Sequence, residues 1–240
     1  MRKILIIGAS SGIGYEIALQ LLEKGCIVGV SGRRIERLEA ITSKYPKTCF
    51  AQMIDITQEE AASNIDKLIA KMGGIDIFIH SSGIGWANIE LQSELEILTA
   101  KTNVEGLVRC TTHMFNYFDA RKSGHIAVIS SIAGTKILGS APAYSATKRF
   151  QRCYVEGLAQ LSSIRKSNII FTDIRPGFVT TDLISGKNYP MQLTAEYAAT
   201  RIIRAIEKKK RVAIIDWKYS LLVAFWKLIP QCIWEKLNIK

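Results

Sequence analysis

The sequence predicts a doubly wound α/β domain, a parallel sheet of about seven strands with helices on both faces. Two patterns carry that expectation. Seven short runs rich in Ile and Val, with little polar alternation, are separated by longer segments of helical period; strands buried on both faces and joined by crossover helices read this way. A glycine-rich turn, "GASSGIG", follows the first of these runs directly. The 240 residues suffice for one large domain, and a 48% hydrophobic content with a mean hydropathy of +0.13 excludes a disordered chain.

The first strand is "KILIIG", 3–8, and its turn carries Gly8, Ser10, Ser11, Gly12, Ile13 and Gly14 before a helix over 13–24. Glycine permits the tight path and a close approach of backbone to a pyrophosphate, and the helix N-terminus offers free N–H groups. The second strand, "CIVGVS", 26–31, runs into "SGRR". Where an NAD site usually presents a carboxylate to the ribose 2′-hydroxyl, this chain presents Gly32, Arg33 and Arg34, and a guanidinium grips a 2′-phosphate. NADP(H) is therefore expected, with NAD(H) possible. The plain alternative is that both arginines only open the charged helix over 34–44.

The third strand, "CFAQMID", 49–55, ends at Asp55, placed to hydrogen-bond an adenine amino group, to cap the helix over 58–72, or both. The fourth, "IDIFIH", 75–80, ends in "HSSG", where the lone His80 is read as structural. One helix is expected over 94–121, with Asn103 of "KTNVEG" inside it, holding a water or bending the helix. The fifth strand, "HIAVIS", 125–130, places Ser131 thirteen residues ahead of Tyr144. The helix over 143–165 sets Tyr144 and Lys148 at i and i+4 on one face, so phenol and ammonium serve one space. After the sixth strand, "IIFTDI", 169–174, comes "RPGFVTTDL", with Pro176 and Gly177 turning the chain back across the crevice. A helix over 194–208 and the strand "VAII", 212–215, complete the pattern. In such sheets the ligand crevice lies beyond the carboxyl ends of the strands, where these residues fall.

Taken in order, "GASSGIG", "MDIT" (as "MIDIT" here), "HSSG", "TNVEG", "VISSIAG", "YSATK" and "RPGFVTTD" resemble the short-chain dehydrogenase/reductase family from Lys3 to about Ile215. The resemblance implies a Rossmann-type fold and an oxidoreductase interconverting a carbonyl and an alcohol. It implies Tyr144 as the proton donor or acceptor, Lys148 as the ribose ligand that lowers the tyrosine pKa, Ser131 as the partner of the substrate oxygen, and Asn103 as the holder of a water in a proton relay. Among cofactor contacts it adds Ile56 beside Asp55, Ser82 and Gly83 of "HSSG", and Pro176, Gly177, Val179 and Thr181. Two departures stand out: Ile7 replaces the family's usual Thr before the first glycine, and His80-Ser81-Ser82-Gly83 replaces its usual Asn-Asn-Ala-Gly.

A free phenol titrates near ~10, so proton exchange at neutral pH calls for a neighbouring cation. The loops after the fourth, fifth and sixth strands offer Ile84, Trp86, Ile137, Leu138, Phe178, Leu183, Tyr189 and Met191, walls suited to a small or lipid-like apolar substrate. A non-catalytic cofactor-binding protein on the same fold is the alternative.

Five scattered cysteines without a C-x-x-C pair fit reduced thiols in a cytoplasmic protein, and no metal site is expected. Net charge is +11, and 201–240 hold ten Lys and Arg against Glu207, Asp216 and Glu235. No nucleic-acid module accompanies that charge, so no nucleic-acid partner is expected. One domain over 1–216 is expected, followed by an apolar, basic extension over 217–240. That extension is read either as an interfacial membrane anchor or as a segment packing on another subunit or over the crevice. The resemblance also implies a homo-oligomer, a dimer or tetramer, paired through the long helices near 100–121 and 143–165.

Overall fold

The computed structural model describes residues 1–182 and 189–237. Seven strands, β1 (Lys3–Ile7), β2 (Ile27–Gly32), β3 (Cys49–Met53), β4 (Ile77–His80), β5 (Gly124–Ile129), β6 (Ile169–Arg175) and β7 (Val212–Ile214), make one sheet in the order β3-β2-β1-β4-β5-β6-β7. Every pairing is parallel. The strand order reverses between β1 and β4, which opens a crevice at their carboxyl ends.

The helices are α1 (Gly12–Glu23), α2 (Ile35–Lys44), α3 (Ala61–Met72), α4 (Ser93–Ala100), α5 (Leu107–Arg121), α6 (Pro142–Ile164), α7 (Ala195–Glu207), α8 (Trp217–Leu228) and α9 (Gln231–Trp234). Side chains alternate across the sheet. Ile4 and Ile6 of β1 join the core made with α1, α2 and α7, while Leu5 and Ile7 join the core made with α3, α5 and α6. Both faces are covered, which is why the strand runs carry no polar alternation. Each such buried Ile or Leu contributes roughly 1.5–3 kcal/mol. At Gly29 a Cβ would stand 2.3 Å from Met72 Sδ, so the missing side chain is what lets α3 lie against β2.

Two expected helices differ. The segment 94–121 is not continuous: α4 passes through a π-helical turn, Lys101–Gly106, before α5 begins. Asn103 sits in that turn with its side chain gripping the backbone of Ile84, and Gly106 faces Ile56, whose side chain a Cβ would meet at 2.7 Å. A side chain committed across the helix in this way is an identifiable cause of an inserted residue. The third helix begins at Ala61 rather than near Gln58. Asp55 Oδ1 accepts from Thr57 N at 2.9 Å and from Thr57 Oγ1 at 2.8 Å, so the carboxylate builds a local turn instead of capping the helix.

The C-terminal segment rests on its own chain. Asp216 caps α8 by accepting from Lys218 N at 2.9 Å, and it also takes the Tyr197 hydroxyl at 2.9 Å. Tyr219 and Val223 are buried against Ile132, with Phe178 and Leu193 alongside. Trp234 Nε1 donates to Ile137 O at 2.8 Å, and Lys136 Nζ donates to Ile229 O at 2.9 Å, so α8 and α9 are tied to the loops after β5 and β6. Among the described residues no helix is long and apolar enough to cross a membrane.

Candidate active site

The glycine turn is shaped by contact. Gly8 has φ +88°, and a Cβ there would lie 2.6 Å from Ser82 N; a Cβ on Gly14 would lie 2.2 Å from Gly8 O. Gly12, at φ +58°, faces the Thr181 methyl, which a Cβ would meet at 3.0 Å. α1 therefore starts flush against the ends of β1 and β4. Its N-cap, Ser11, makes no side-chain cap and its first turn holds no acidic residue, so the first-turn amides remain available to an anion. This backbone cradle, which side chains would fill, suits a pyrophosphate. Ile13 turns into the α1 side of the core.

Beyond β2, Arg33 is exposed, whereas Arg34 is engaged. Its guanidinium donates to Ser11 Oγ at 2.5 Å, to Ser10 Oγ at 3.3 Å and to Asp182 Oδ2 at 3.2 Å. Arg37 also reaches Asp182 Oδ2, at 3.5 Å. Arg34, with burial opposing and Ser11 and Arg37 assisting, holds the Asp182 carboxyl below the ordinary carboxylate range. Arg34 and Arg37 thus form a cationic cluster at the end of β2, with the Asp182 carboxylate on it. Ile56 is buried in the core, and its carbonyl accepts from Arg109 Nη1 at 2.8 Å.

The chemistry-bearing groups meet at the carboxyl end of β5. Ser131 follows that strand, 6% exposed; its Oγ accepts from Ala133 N at 3.1 Å and donates to Pro176 O at 3.4 Å. The hydroxyl so placed caps a 3₁₀ turn, Ile132–Gly134. Gly134 presses that turn onto α6: a Cβ would meet Lys148 C and Arg149 N at 2.8 Å. Without that close approach α6 would stand further from β5, and Lys148 Nζ would not reach Ile129 O, to which it donates at 3.1 Å.

Lys148 is 5% exposed, and burial pushes its ammonium down to about 8 against the pull of Asp173. Tyr144, one turn earlier, stands half-buried at the start of α6. Burial pushes its phenol up, and the Ser131 hydroxyl opposes that rise. Lys148 Nζ lies over the Tyr144 ring, 5.7 Å from its centroid.

Of the two uses expected of Asn103, its side chain shows the one that shapes the helix. Its Oδ1 accepts from Ile84 N at 2.9 Å, and its Nδ2 donates to Ile84 O at 2.7 Å and to Thr147 Oγ1 at 3.1 Å. That side chain is a staple between the loop after β4 and α6. Gln151 links the Asn103 carbonyl to Lys148: the carbonyl accepts from Gln151 Nε2 at 2.9 Å while Gln151 Oε1 accepts from Lys148 Nζ at 3.1 Å. Gln151, fully buried, is the site residue that the sequence reading missed. Its i+3 position after Lys148 was the available signal.

The loop after β4 closes the site from the other side. A Cβ on Gly83 would stand 3.3 Å from both Asn103 Oδ1 and Lys148 Nζ, and one on Gly85 would collide with the Tyr144 ring at 2.2 Å. His80 is fully buried; burial, and then the Lys148 charge, push it down to about 3 against the opposing backbone of Ser82, so it is neutral. It faces the core beside Phe78, as a structural residue does.

On the substrate side, Phe178 and Tyr189 stack at 4.0 Å, and Tyr219 hydroxyl accepts from Phe178 N and donates to Met191 O, both at 3.0 Å. Gly177 accommodates the Tyr219 ring, which a Cβ would strike at 2.1 Å. Val179 is buried and bridges to Leu193, leaving Thr181 against the glycine turn. Leu183 lies outside the described residues. Among the described residues no cluster of three His, Cys, Asp or Glu is placed to hold a metal ion.

The chain is similar to known proteins over most of its length. An uncharacterized oxidoreductase of Myxococcus xanthus (strain DK1622) is 28% identical over 242 residues, covering 98% of this chain and 95% of that protein. A farnesol dehydrogenase of Aedes aegypti is 30% identical over 195 residues, covering 75% and 78%. A short chain dehydrogenase from Burkholderia cenocepacia J2315, solved in complex with NADP, superposes over the whole of both chains with a TM-score of 0.84 at 18% identity, a likeness of fold. The family model for short chain dehydrogenase matches residues 2–192, from the first strand through the loop that carries Thr181. A match over that much of the 240 residues leaves one assignment: the chain belongs to the short-chain dehydrogenase family.

Proposed function

We propose that the protein is an NADP(H)-dependent oxidoreductase that interconverts a carbonyl and an alcohol on an apolar substrate, with Tyr144 exchanging the proton. The observation that carries this reading is the convergence of Ser131, Tyr144 and Lys148 from β5 and α6 on one crevice. When bound, the nicotinamide supplies or accepts the hydride. The Gly8, Gly12 and Gly14 turn with the α1 N-terminus suits its pyrophosphate, and Arg34 with Arg33 suits a 2′-phosphate. Asp55, Ser82, Gly83 and the Pro176–Thr181 segment complete the proposed contacts.

Ser131 donates a hydrogen bond to the substrate oxygen, and Tyr144 delivers its proton to that oxygen as negative charge develops, or takes the proton in the reverse direction. A phenol pushed up by burial is a reluctant acid, so its proton moves only to a strongly basic alkoxide. Lys148 holds its ammonium beside the ring and donates to ribose hydroxyls. The 3₁₀ turn and the Asn103 staple fix these groups so that little reorganisation remains at the moment of transfer.

Phe178, Tyr189, Met191, Ile137 and Trp86 support an apolar substrate, and the farnesol of the Aedes aegypti relative's name is an alcohol of that kind. The same reading takes the protein as a homo-oligomer pairing through α5 and α6. Phe150 and Tyr154, stacked at 5.6 Å with Phe150 exposed on α6, support it.

Calorimetric titration with NADPH and with NADH, followed by a screen of apolar ketones, aldehydes and alcohols, tests the proposal. Tighter binding of NADPH is expected, together with turnover that Tyr144→Phe lowers at least 100-fold while cofactor affinity is kept. Turnover unchanged in Tyr144→Phe would overturn the mechanism. Cofactor binding with no turnover on any carbonyl would favour a non-catalytic binding protein.

A further inference from the structure

α8 is apolar on two opposite sides. One side, Tyr219 and Val223, is buried on the body of the protein. On the other, Trp217 is 62% exposed, Leu221 61%, Phe225 62% and Leu228 79%. At about 100° per residue these four fall within an arc of roughly 80°, nearly opposite the buried pair. Ile233 of α9 and Leu237 just after it add exposed apolar surface, 50% and 43%. Single exposed apolar residues are ordinary, but a stripe of four large ones along a helix already seated by its other face marks a surface with a partner.

We propose that this stripe docks the protein on an anionic lipid bilayer. Charge selects that occupant. α8 contains no acidic residue, and Lys218 and Lys227, both exposed, project on either side of the stripe. Lys136, Lys218, Lys227 and Lys236 outnumber Glu235 around α8 and α9, while Asp216 is spent on its cap and on Tyr197. In an isologous contact between two copies the same lysines would face one another and repel. A surface of anionic headgroups pairs with them, and Trp217 and Phe225 suit the boundary between headgroups and chains.

Because the helix spans only 12 residues, it lies on the surface instead of crossing. Tyr219 packs flat on Gly177 and Trp234 is bonded to Ile137 O, so docking brings the loops after β5 and β6 to the bilayer. The crevice mouth then opens where a lipid-soluble compound is concentrated.

The test is flotation of the full-length protein with phosphatidylcholine vesicles and with vesicles of phosphatidylcholine and phosphatidylglycerol. Sedimentation velocity on the same samples reports association between copies. Binding to the mixed vesicles, weakened by salt and weak on phosphatidylcholine alone, is expected. Leu221→Glu/Phe225→Glu, whose sites are exposed, is expected to abolish binding while retaining the thermal transition and cofactor affinity. Lys218→Gln and Lys227→Gln are each expected to lower partitioning about fivefold. Protein that stays in solution with both vesicle types overturns the proposal. So does a wild-type oligomer that Leu221→Glu/Phe225→Glu dissociates without vesicle binding, which would assign the stripe to a second copy. Neither readout depends on turnover, so a failed substrate screen leaves this test intact.

Discussion

Lys148 and Gln151 stand one turn apart on α6, both shut away from water, and the Lys148 ammonium donates to the Gln151 carboxamide at 3.1 Å. The other end of that carboxamide donates to the Asn103 carbonyl in the π-helical turn at 2.9 Å. A primary amide accepts at one end and donates at the other, so Gln151 couples the ammonium to a second helix without adding charge. An apolar replacement would leave a buried cation short of an acceptor, worth about 1–3 kcal/mol. Gln151→Leu is therefore expected to lower kcat about 10-fold and to move the alkaline limb of activity below the pH of about 8 set by Lys148. Gln151→Glu, which places a carboxylate beside the ammonium, should move that limb upward. The pH profile of kcat/KM decides; an unmoved limb in both variants would reduce Gln151 to a packing residue.

Gly85 lies against the face of Tyr144 so closely that a Cβ would be 2.2 Å from Cδ2 of the ring. The overlap is with ring carbons near the α6 backbone, so Gly85→Ala forces either the ring or the loop to move. A shift of this size at a proton-transferring group costs reaction geometry more than binding. Expected is a kcat at least 10-fold lower with cofactor affinity nearly unchanged, measured by steady-state kinetics beside calorimetry. Equal losses in both would point to collapse of the loop instead.

Arg34, the residue proposed to hold the 2′-phosphate, carries Asp182 on its guanidinium. Both side chains are substantially exposed, so the pair itself is worth at most about 1 kcal/mol. Removing the guanidinium removes a bidentate donor; Arg34→Ala is expected to weaken NADPH roughly 10- to 100-fold and NADH far less. Asp182→Asn frees Arg34 and Arg37 and should tighten NADPH by up to about fivefold. If Asp182→Asn left the NADPH Kd unchanged, the carboxylate would not be competing for that cluster.

The strand runs and the Tyr144–Lys148 spacing were legible because each depends on periodicity within one element: burial on both faces erases polar alternation, and i, i+4 positions share a helix face. The glycine turn was legible because its conformation is demanded locally, at φ +88° for Gly8. What stayed hidden depends on contacts distant in sequence. The π-helical turn follows from Asn103 holding Ile84, 19 residues earlier, and Asp182 reaches Arg34 across 148. Gln151 was in plain view beside Lys148, but its role comes from a carbonyl 48 residues away. The tail's direction was open for the same reason: its apolar residues serve two faces, and contacts such as the fit of Tyr219 on Gly177 show which one turns inward.

His80 supplies the acid side of stability. Its ordinary value of 6.5 is pushed to about 3, by burial first and then by the Lys148 ammonium, so the folded protein keeps it neutral. His125, whose Nε2 pairs with Thr172 Oγ1 at 2.8 Å, is pushed down to about 4, also chiefly by burial. The unfolded chain protonates both rings as pH falls through 6.5, and the folded chain does not until about 3 to 4. Between those limits the unfolded state holds more protons, so stability falls as pH falls and is regained as pH rises. His80→Asn removes one of the two groups and keeps a polar side chain of smaller volume. Its thermal transition is expected to decline less between pH 6.5 and 4 than the wild-type transition does, whatever its absolute stability at pH 7. Parallel Tm curves for the two proteins across that window would show that His80 is protonated in the folded state as readily as in the unfolded one.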